Sequence, residues 1–430
     1  VIACLSSPPT KLVRDPRLDK HVVKQNRMRF VQKLKTLLLS KPKHFMHIRV
    51  LYKCRPFLSL PKPRSILSMI RRYPTVFELF MIPTPPTPFH AAGPLNQLCV
   101  RLTPAAAALA KRESDLKKNM SVFSAKKLQK LLMLAVPYHK LLLSKLVHLG
   151  TDLALPINFR SRLCNDHPDK FKVVETSYGH ALELVSWDSD LANPLPYREP
   201  EPALIVDRPL KFKRLVLRKG LNVKRAHRDY LMKFRELPDV CPYETDPSRL
   251  AKESPIMAEK RACAAAREVL AMTAEKRTLI DHLTHFRREF GFPNRLRAML
   301  ARHPETFYVS LKGDRDSVFL VEGYDGDGKL LEVDETVAIR DEMMKLIVEG
   351  KRMRKEKKRR EYIHGRIADE EEEEEEYGGS FDVDDDEDGD DEGFEDGLDD
   401  LFRLEDRSSD DEEGSGELFL REEESHFWVA

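Results

Sequence analysis

Three stretches of the chain repeat one pattern: a proline, a short basic segment, a second proline and a phenylalanine three residues later. The copies read SLPKPRSILSMIRRYPTVFELF, ALPINFRSRLCNDHPDKFKVVE and GFPNRLRAMLARHPETFYVSL, with the phenylalanines at Phe77, Phe171 and Phe307. Three occurrences at this level of agreement indicate duplicated structural units. The repeat therefore constrains the possible folds more than any other feature of the chain.

Each copy predicts a short helix followed by a strand. The first proline suits the start of a helix, where its missing N–H would have no partner, and the second ends the helix because a residue before proline avoids helical angles. We expect a helix of about two to three turns. The apolar run after the second proline of each copy predicts a strand, and a partner strand is predicted at residues 99–102, 181–187 and 317–324.

The order helix, short helix and β-hairpin is typical of a winged helix-turn-helix unit. We therefore predict an α+β fold, mainly helical, with three tandem winged-helix-like modules that each contain a small β-hairpin, and a disordered acidic C-terminal tail. The predicted boundaries are a disordered N-terminal remnant at 1–10, a first basic module at 11–110, a second module at 111–192, a Pro-rich and basic connecting segment at 193–257, a third module at 258–350, a basic helix end at 351–368 and the tail at 369–430.

Several helices are predicted outside the repeats. Apolar residues recur at helical spacing over residues 18–39, with lysines and arginines between them. Thr103 and Pro104 have the character of an N-cap and a first helical residue. Residues 258–290, rich in Ala, Arg and Glu, predict one long helix or a helical pair. Residues 128–150 are strongly apolar but contain lysines and a proline, so they predict packed helix and no membrane span.

The net charge of +2 hides a strong division along the chain. The tail from residue 369 carries 31 acidic residues against three arginines, a charge of −28, so the other 368 residues carry +30. Residues 11–170 alone contain 31 Lys or Arg and 8 Asp or Glu. Such a surplus predicts a polyanionic partner, nucleic acid, because each cation set against a phosphate releases condensed counterions. The alternative interpretation is a solvated basic surface.

The sequence lacks the patterns that accompany catalysis and metal binding. The six cysteines form no C-x-x-C pair, which argues against structural zinc and disulfides and favours a reducing compartment. The histidine pairs in HFMH and DHLTH have no evident third ligand, and YDGDGKL lacks the closing Glu of a calcium loop and predicts a β-turn. We expect no catalytic residue, metal or cofactor; a metal-dependent nuclease is the enzyme alternative, but no convincing carboxylate set supports it.

The candidate nucleic-acid contacts are cations in or near the repeats and in the basic connecting segment. A guanidinium forms forked contacts with a phosphate, whereas the apolar residues between these cations are expected to form the core. The candidates are Lys41, Lys43, Arg49, Lys53, Arg55, Lys62, Arg64, Arg71, Arg72, Arg160, Arg162, Lys211, Lys213, Arg214, Arg218, Arg295, Arg297 and Arg302.

Four stretches resemble a known family. They are RDPRLDKHVVKQNRM, the LP to RRYPTVFELF segment, RPLKFKRLVLRKGLNVKRAHRDYLMKFRELPDVCPY, and EKRTLIDHLTHFRREFGFPNRLRAMLARHPETFYVSLKGDRDSVFLVEGYD. Together they are similar to the plant organelle RNA recognition domain, the family that includes the What's This Factor proteins. The resemblance extends over about residues 12–351 and leaves out the acidic tail.

The resemblance implies a non-enzymatic protein that binds single-stranded or intron RNA and supports group II intron splicing. It implies RNA and other organellar splicing factors as partners, no membrane association, and import into the chloroplast stroma with a transit peptide, with the mitochondrion as the alternative. A winged-helix DNA-binding regulator is the alternative function. The tail would shield the basic body, dock a basic partner or act as a solvating extension, and KRMRKEKKRR at 351–360 would be a nuclear signal or a phosphate-binding helix end.

Overall fold

The computed structural model describes residues 13–60, 65–84, 95–156, 158–196, 217–218, 221 and 223–372. The expected disordered N-terminal remnant and nearly all of the acidic tail lie outside these residues. Within them the chain forms many helices and small antiparallel sheets, which confirms the α+β class. Within them, too, no helix is long and apolar enough to cross a membrane.

The elements fall into three successive sets. The first contains α1 (Pro16–Leu39), β1 (Phe45–His47), α2 (Ile48–Lys53), α3 (Arg55–Leu58), α4 (Ile66–Arg71), β2 (Phe77–Thr84) and β3 (Leu95–Leu102). The second contains α5 (Pro104–Asn119), α6 (Ser121–Leu134), β4 (Lys140–Leu142), α7 (Leu143–Gly150), α8 (Leu163–Asp166), β5 (Phe171–Thr176) and β6 (Gly179–Leu184). The third contains α9 (Arg225–Glu236), α10 (Pro247–Glu253), α11 (Pro255–Met272), β7 (Arg277–Leu279), α12 (Ile280–Thr284), α13 (Leu296–Arg302), β8 (Phe307–Ser310), β9 (Ser317–Leu320), a 3₁₀ turn (Val321–Gly323) and α14 (Glu335–Glu372).

Each set contains one three-stranded antiparallel sheet with the same order of strands. The orders are β1-β3-β2, β4-β6-β5 and β7-β9-β8, so the last strand of each set lies in the centre. The hairpins β2-β3, β5-β6 and β8-β9 agree with the strands predicted after each repeat. The short strands β1, β4 and β7 were not predicted, because three residues are too few to display an alternating pattern.

A pair of backbone positions with positive φ recurs in each set. One position directly precedes the short first strand of the set. The other lies fifteen residues after that first position. The pairs are His44 and Ser59, His139 and Ala154, and Lys276 and Gly291, with φ between 50° and 68°. The left-handed conformation is costly for residues with a Cβ, so its recurrence in matching places is a stronger sign of duplicated units than the sequence motif alone.

The helix expected within each repeat forms in two of the three copies. It is α4 in the first and α13 in the third, each about two turns long. In the second copy the prediction of a helix of two to three turns is wrong. Turns stabilised by i to i+3 hydrogen bonds, such as Ser161 N to Asn158 O at 3.2 Å, lead into the four-residue α8. Ser161 Oγ also donates to the Asn158 carbonyl, a local hydrogen bond of the kind that competes with helix formation.

The predicted helix over residues 258–290 is interrupted. Helix α11 ends at Met272, where Thr273 becomes extended and its hydroxyl donates to the Leu270 carbonyl at 2.6 Å. Strand β7 follows and then α12, so the helical-pair interpretation is partly correct but misses the strand between. The predicted N-cap of α5 is confirmed, since Thr103 Oγ1 accepts a hydrogen bond from Ala106 N at 3.3 Å, with Pro104 at the first helical position.

The cores of the three sets are joined. One buried cluster extends from α6 and α7 of the second set through α11, α12 and α13 of the third. The core of the first set is completed by Met343 and Ile347 of the C-terminal helix α14. The N-terminal helix α1 of the first set packs on the third sheet, where its Leu18 and Val22 contact Tyr308 and Phe319. The first and last helices thus tie the first and third sets together.

Candidate nucleic-acid interface

Helix α2 displays the predicted cations most clearly. Its buried residues Ile48 and Leu51 face the core of the first set, and this leaves Arg49, Tyr52 and Lys53 on the outer side. Tyr52 is 47% exposed and lies on the same helix face as Arg49 and Lys53. The helix therefore combines two positive charges with an accessible aromatic ring.

A second exposed aromatic ring lies on the neighbouring helix α3, which contacts both α1 and α2. Phe57 is 48% exposed, and the Lys33 ammonium lies 5.9 Å from its ring centroid. Burial lowers the pKa of Lys33, and the nearby Arg29 and Arg315 lower it further, against the opposing effect of Asp314. Arg29 and Arg315 therefore add positive charge close to Lys33.

The remaining cations of the first set surround these helices. Lys43 is exposed in the turn before β1, and Arg71 is exposed at the end of α4, which contacts α2. Lys41, Arg55 and Arg72 are partly buried, and Arg55 Nε donates to the Leu60 carbonyl at 3.1 Å. The predicted Lys62 and Arg64 lie outside the described residues. The first set thus exposes Lys43, Arg49, Lys53 and Arg71 around short helices that contact one another.

The second and third sets expose fewer of the predicted cations. Arg160 and Arg162 are exposed in the turns before α8, and Arg295 is exposed at the start of α13. Arg297 forms an ion pair with Asp316 at 2.8 Å while remaining 55% exposed. Arg302 is bound more firmly, because its guanidinium contacts the Glu259 carboxylate at 2.8 Å with only 26% of the side chain exposed.

In the connecting segment, Arg218 is partly buried and is paired within the protein. Its Nε contacts the Asp15 carboxylate at 2.6 Å, a terminal nitrogen donates to the Asp325 carbonyl at 3.2 Å, and 14% of the side chain is exposed. This geometry joins the start of α1 to the turn after β9 and leaves little of the guanidinium for a ligand. Lys211, Lys213 and Arg214 lie outside the described residues.

The sequence interpretation missed several exposed aromatic residues. Tyr138 and Tyr178 are 78% and 82% exposed, the latter between β5 and β6. Trp187 is 44% exposed and lies edge-on to His139, with ring centroids 5.4 Å apart. The neighbouring turn residues in TSYGH and VPYH are the only sequence signal that these rings lie on connections and not in the core.

A histidine cluster lies where α7 meets α12. The rings of His148 and His285 stack with centroids 4.0 Å apart, and His282 Nδ1 lies 2.9 Å from an Asp152 carboxylate oxygen. Burial lowers the pKa of His148, and so do His285 and His282. Among the described residues, no three or more His, Cys, Asp or Glu side chains are grouped so as to hold a metal ion. The His148–His285 stack packs α7 of the second set against the end of α12 in the third.

Repeated α+β units that expose arginine, lysine and aromatic side chains are typical of modular nucleic-acid-binding proteins. The plant organelle RNA recognition domain matches residues 13–352, nearly the whole of the described chain. The protein belongs to that family, and its role is an RNA-related one in a plant organelle.

Named relatives support this assignment. The chain is 38% identical over 355 residues to Protein WHAT'S THIS FACTOR 1 homolog, chloroplastic, of rice, covering 80% of this chain and 67% of the relative. It is 38% identical over 354 residues to the maize protein WHAT'S THIS FACTOR 1, chloroplastic, with 80% and 68% covered. It is 26% identical over 347 residues to Protein WHAT'S THIS FACTOR 9, mitochondrial, of Arabidopsis thaliana, with 78% and 84% covered. No solved structure matches the chain.

The names of the two relatives at 38% identity support the plastid location expected from the sequence. The mitochondrial relative has the lower identity, and it gives the alternative organelle a counterpart within the same family.

Proposed function

We propose that this protein is a non-catalytic RNA-binding factor of the chloroplast that holds group II intron RNA and promotes its splicing. The observation that carries the proposal is the outer face of α2, where Arg49 and Lys53 flank the exposed ring of Tyr52. The choice of RNA as the ligand rests on family membership. In this proposal the intron RNA itself carries out the splicing chemistry. Other organellar splicing factors are proposed partners, because one chain of this size covers a small part of a folded intron.

The α2 surface suits single-stranded RNA for two physical reasons. Lysine and arginine neutralise the phosphates without regard to sequence, and bases that are not paired offer flat rings that stack on aromatic side chains. Tyr52 on α2 and Phe57 on α3 provide such rings beside the cations. A duplex hides its bases between its strands and would leave these rings without a partner.

We also propose that each set is a winged-helix-like module. The order of helix, short strand, helices and hairpin, with the last strand in the centre of the sheet, supports this reading. The same order favours the second candidate, a winged-helix DNA-binding regulator. However, the helix that would read a groove in the first set, α4, is six residues long, or about 9 Å. It presents little surface to a major groove that is about 12 Å wide.

The first test removes two charges from the α2 surface. For Arg49→Ala/Lys53→Ala we expect affinity for single-stranded RNA to fall about tenfold at 100 mM salt, and the slope of log affinity against log salt to become shallower by about 1.4. The matched control is Arg249→Ala/Lys252→Ala, which removes two exposed cations from α10. Fluorescence anisotropy over a salt series measures both quantities. Equal losses in the two variants would contradict a specific role for α2.

The second test separates RNA from DNA. The full chain is offered labelled single-stranded RNA, a group II intron and duplex DNA in competition, and we expect the two RNAs to displace the duplex. Preference for duplex DNA would support the regulator instead. Sequencing of RNA that co-purifies with the protein from chloroplasts then identifies the bound introns. Failure to enrich any group II intron would reject the splicing half of the proposal.

A further inference from the structure

The outer face of the first sheet carries aromatic and charged side chains. Strand residues alternate between faces, and Met46 and Val100 point into the core. Their neighbours point the opposite way and form what we call the sheet platform. Its members are Phe45, His47, Glu78, Phe80 and Arg101, while Cys99 on the same face is completely buried, with its thiol 3.0 Å from His47 Nδ1.

The platform is preorganised. The Phe45 and Phe80 rings meet edge to face with centroids 5.7 Å apart, and the Arg101 guanidinium carbon lies 4.8 Å from the Phe80 centroid. Glu78 accepts two hydrogen bonds from Arg101, at 3.0 and 3.1 Å, and so holds the guanidinium in a fixed plane. The Arg101 side chain is nevertheless 51% exposed. A flat cationic group held on an aromatic ring, with its own surface open, is a stacking surface.

The equivalent face of the third sheet is a contact surface within the protein. Register places Phe45 and Arg101 of the first sheet where Arg277 and Phe319 lie in the third. There Phe319 is completely buried beneath the N-terminal helix α1. The two sheets share topology, but α1 packs on this face only in the third.

The platform differs from the equivalent face of the third sheet in the exposure of its ion pair. Helix α1 reaches the third sheet with Leu18 and Val22, which bury apolar surface. There the Arg277–Glu275 pair, with 5% and 14% of the two side chains exposed, is completed by a hydrogen bond from Arg277 to Gln25 of α1 at 2.6 Å. On the first sheet the Arg101 and Glu78 side chains of the platform's pair are 51% and 42% exposed. A nucleobase stacks on the guanidinium without burying it completely, and its amino groups are donors for the Glu78 carboxylate.

The platform is also continuous along the chain with the cationic surface of the first set. Phe45 comes two residues after the exposed Lys43, and α2, with Arg49 and Lys53, begins directly after β1. A single strand whose phosphates follow these cations therefore passes the edge of the sheet.

We propose that the sheet platform binds an unpaired base of the RNA by stacking on Arg101 and the Phe80 and Phe45 rings. This inference rests on the proposed RNA binding and adds a base-recognising site to it. The class of ligand is a nucleotide in a single-stranded region, held by its ring more than by its phosphate.

The test uses variants that leave the net charge unchanged. For Phe80→Leu, and separately for Glu78→Gln/Arg101→Gln, we expect affinity for a 20-nucleotide single-stranded RNA to fall about tenfold with the salt slope unchanged. Binding of a base-free oligomer with the same number of phosphates should not change. The control is Lys140→Gln/Glu183→Gln, which removes an ion pair of 3.0 Å from the register-equivalent positions of the second sheet.

Each outcome has one interpretation. If the wild-type chain fails to bind RNA, the proposed function itself is rejected. If the wild type binds and Arg49→Ala/Lys53→Ala weakens it, but both platform variants bind normally, the platform is overturned and the proposed function stands. If Phe80→Leu instead lowers the mass of the protein in solution, the face is a contact between two copies of the chain, which also overturns the platform. Circular dichroism identifies a variant that fails to fold, and the other variant then decides.

Discussion

Many of the cations in this chain are structural. Arg261, 1% exposed, donates to the carbonyls of Thr245, Phe290 and Pro242 at 2.7, 2.7 and 2.8 Å. Burial lowers its pKa to about 10, which still leaves it charged at neutral pH. It joins α11 to the loop before α10 and to the chain after α12. A count of lysines and arginines therefore overstates the charge that is available to RNA.

One buried ion pair gives a stability prediction. Lys35, with 6% of its side chain exposed, contacts Glu113 at 2.5 Å, and Lys117 contacts the other carboxylate oxygen at 2.8 Å. Burial alone would raise the pKa of Glu113, but the two lysines outweigh it and hold the pKa at about 2. The carboxylate therefore stabilises the fold above pH 4.5, and this stabilisation is lost as the pH falls towards 2.

We expect Glu113→Gln to lower the free energy of unfolding by about 2–3 kcal/mol at pH 7, because the buried Lys35 loses its counter-charge. The difference from the wild type should narrow at pH 3. Urea unfolding at the two pH values measures it. Asp115→Asn, which removes an exposed partner of Lys118 on the same helix, is the control and should cost less than about 0.5 kcal/mol. A constant difference at both pH values would contradict the assigned pKa.

The sequence names candidate cations but does not show their environment. Arg71 and Arg302 occupy corresponding ends of α4 and α13, and nothing in the local sequence distinguishes them. The structure does, because Glu259 reaches Arg302 from a helix 43 residues away. Burial and pairing come from long-range contacts, so the separation of surface from structural cations requires the fold.

At the scale of elements, the paired left-handed positions fix the geometry of each set. In each pair, the first position lies where the chain passes from a helix into the short strand. The second position lies after the helical segment that follows this strand. Among these six positions only residue 291 is a glycine. A side chain does not fit there, because a Cβ would lie 2.2 Å from Pro247 Cβ. At His44, Ser59, His139, Ala154 and Lys276 a side chain is tolerated at some cost in backbone strain.

We expect Gly291→Ala to destabilise the protein by about 2–4 kcal/mol, because it adds both a steric clash and an unfavourable φ. The melting temperature should fall accordingly. Gly326→Ala is the control, since nothing lies within 4 Å of its Cβ position and its φ is not in the left-handed range. If the two alanine variants have the same melting temperature, Pro247 moves away at little energetic cost and residue 291 does not constrain the fold.

The elements differ in how far the sequence predicts them. The hairpins were predictable because their strands have apolar runs bounded by turn residues, as in KGDRD with Gly313 at φ 109°. The short strands β1, β4 and β7, and with β7 the end of α11, were not predictable from the sequence. Each short strand pairs with a strand about 40 or more residues later in the chain. Long-range pairing of this kind overrides local helix propensity.

At the scale of the whole molecule, the charge division makes a prediction about binding. Residues 369–430 carry −28 and the rest of the chain +30. Deletion of the acidic tail should tighten non-specific RNA binding about tenfold at 50 mM salt, with little effect at 300 mM, because screening weakens competition between tail and RNA. A neutral Gly/Ser tail of equal length is the control. If that protein binds like the wild type, charge is not the cause.

The repeat predicted three modules but not how they depend on one another. Met343 and Ile347, which complete the first core, lie in a charged helix whose apolar positions have no counterpart in the repeat. The hydroxyl of Thr75, in the turn between α4 and β2, donates to the carbonyl of Leu346 at 2.6 Å. Partners separated by more than 250 residues cannot be paired from one sequence, so the repeat alone does not show that the first set depends on α14.

The return of α14 to the first core also sets an order on folding. The chain emerges from the ribosome, or from an import channel, N-terminus first, and domains usually fold as they appear. Here the first set must wait until residues beyond 340 are available before its core can close. During that interval the apolar residues that Met343 and Ile347 cover in the finished protein remain exposed.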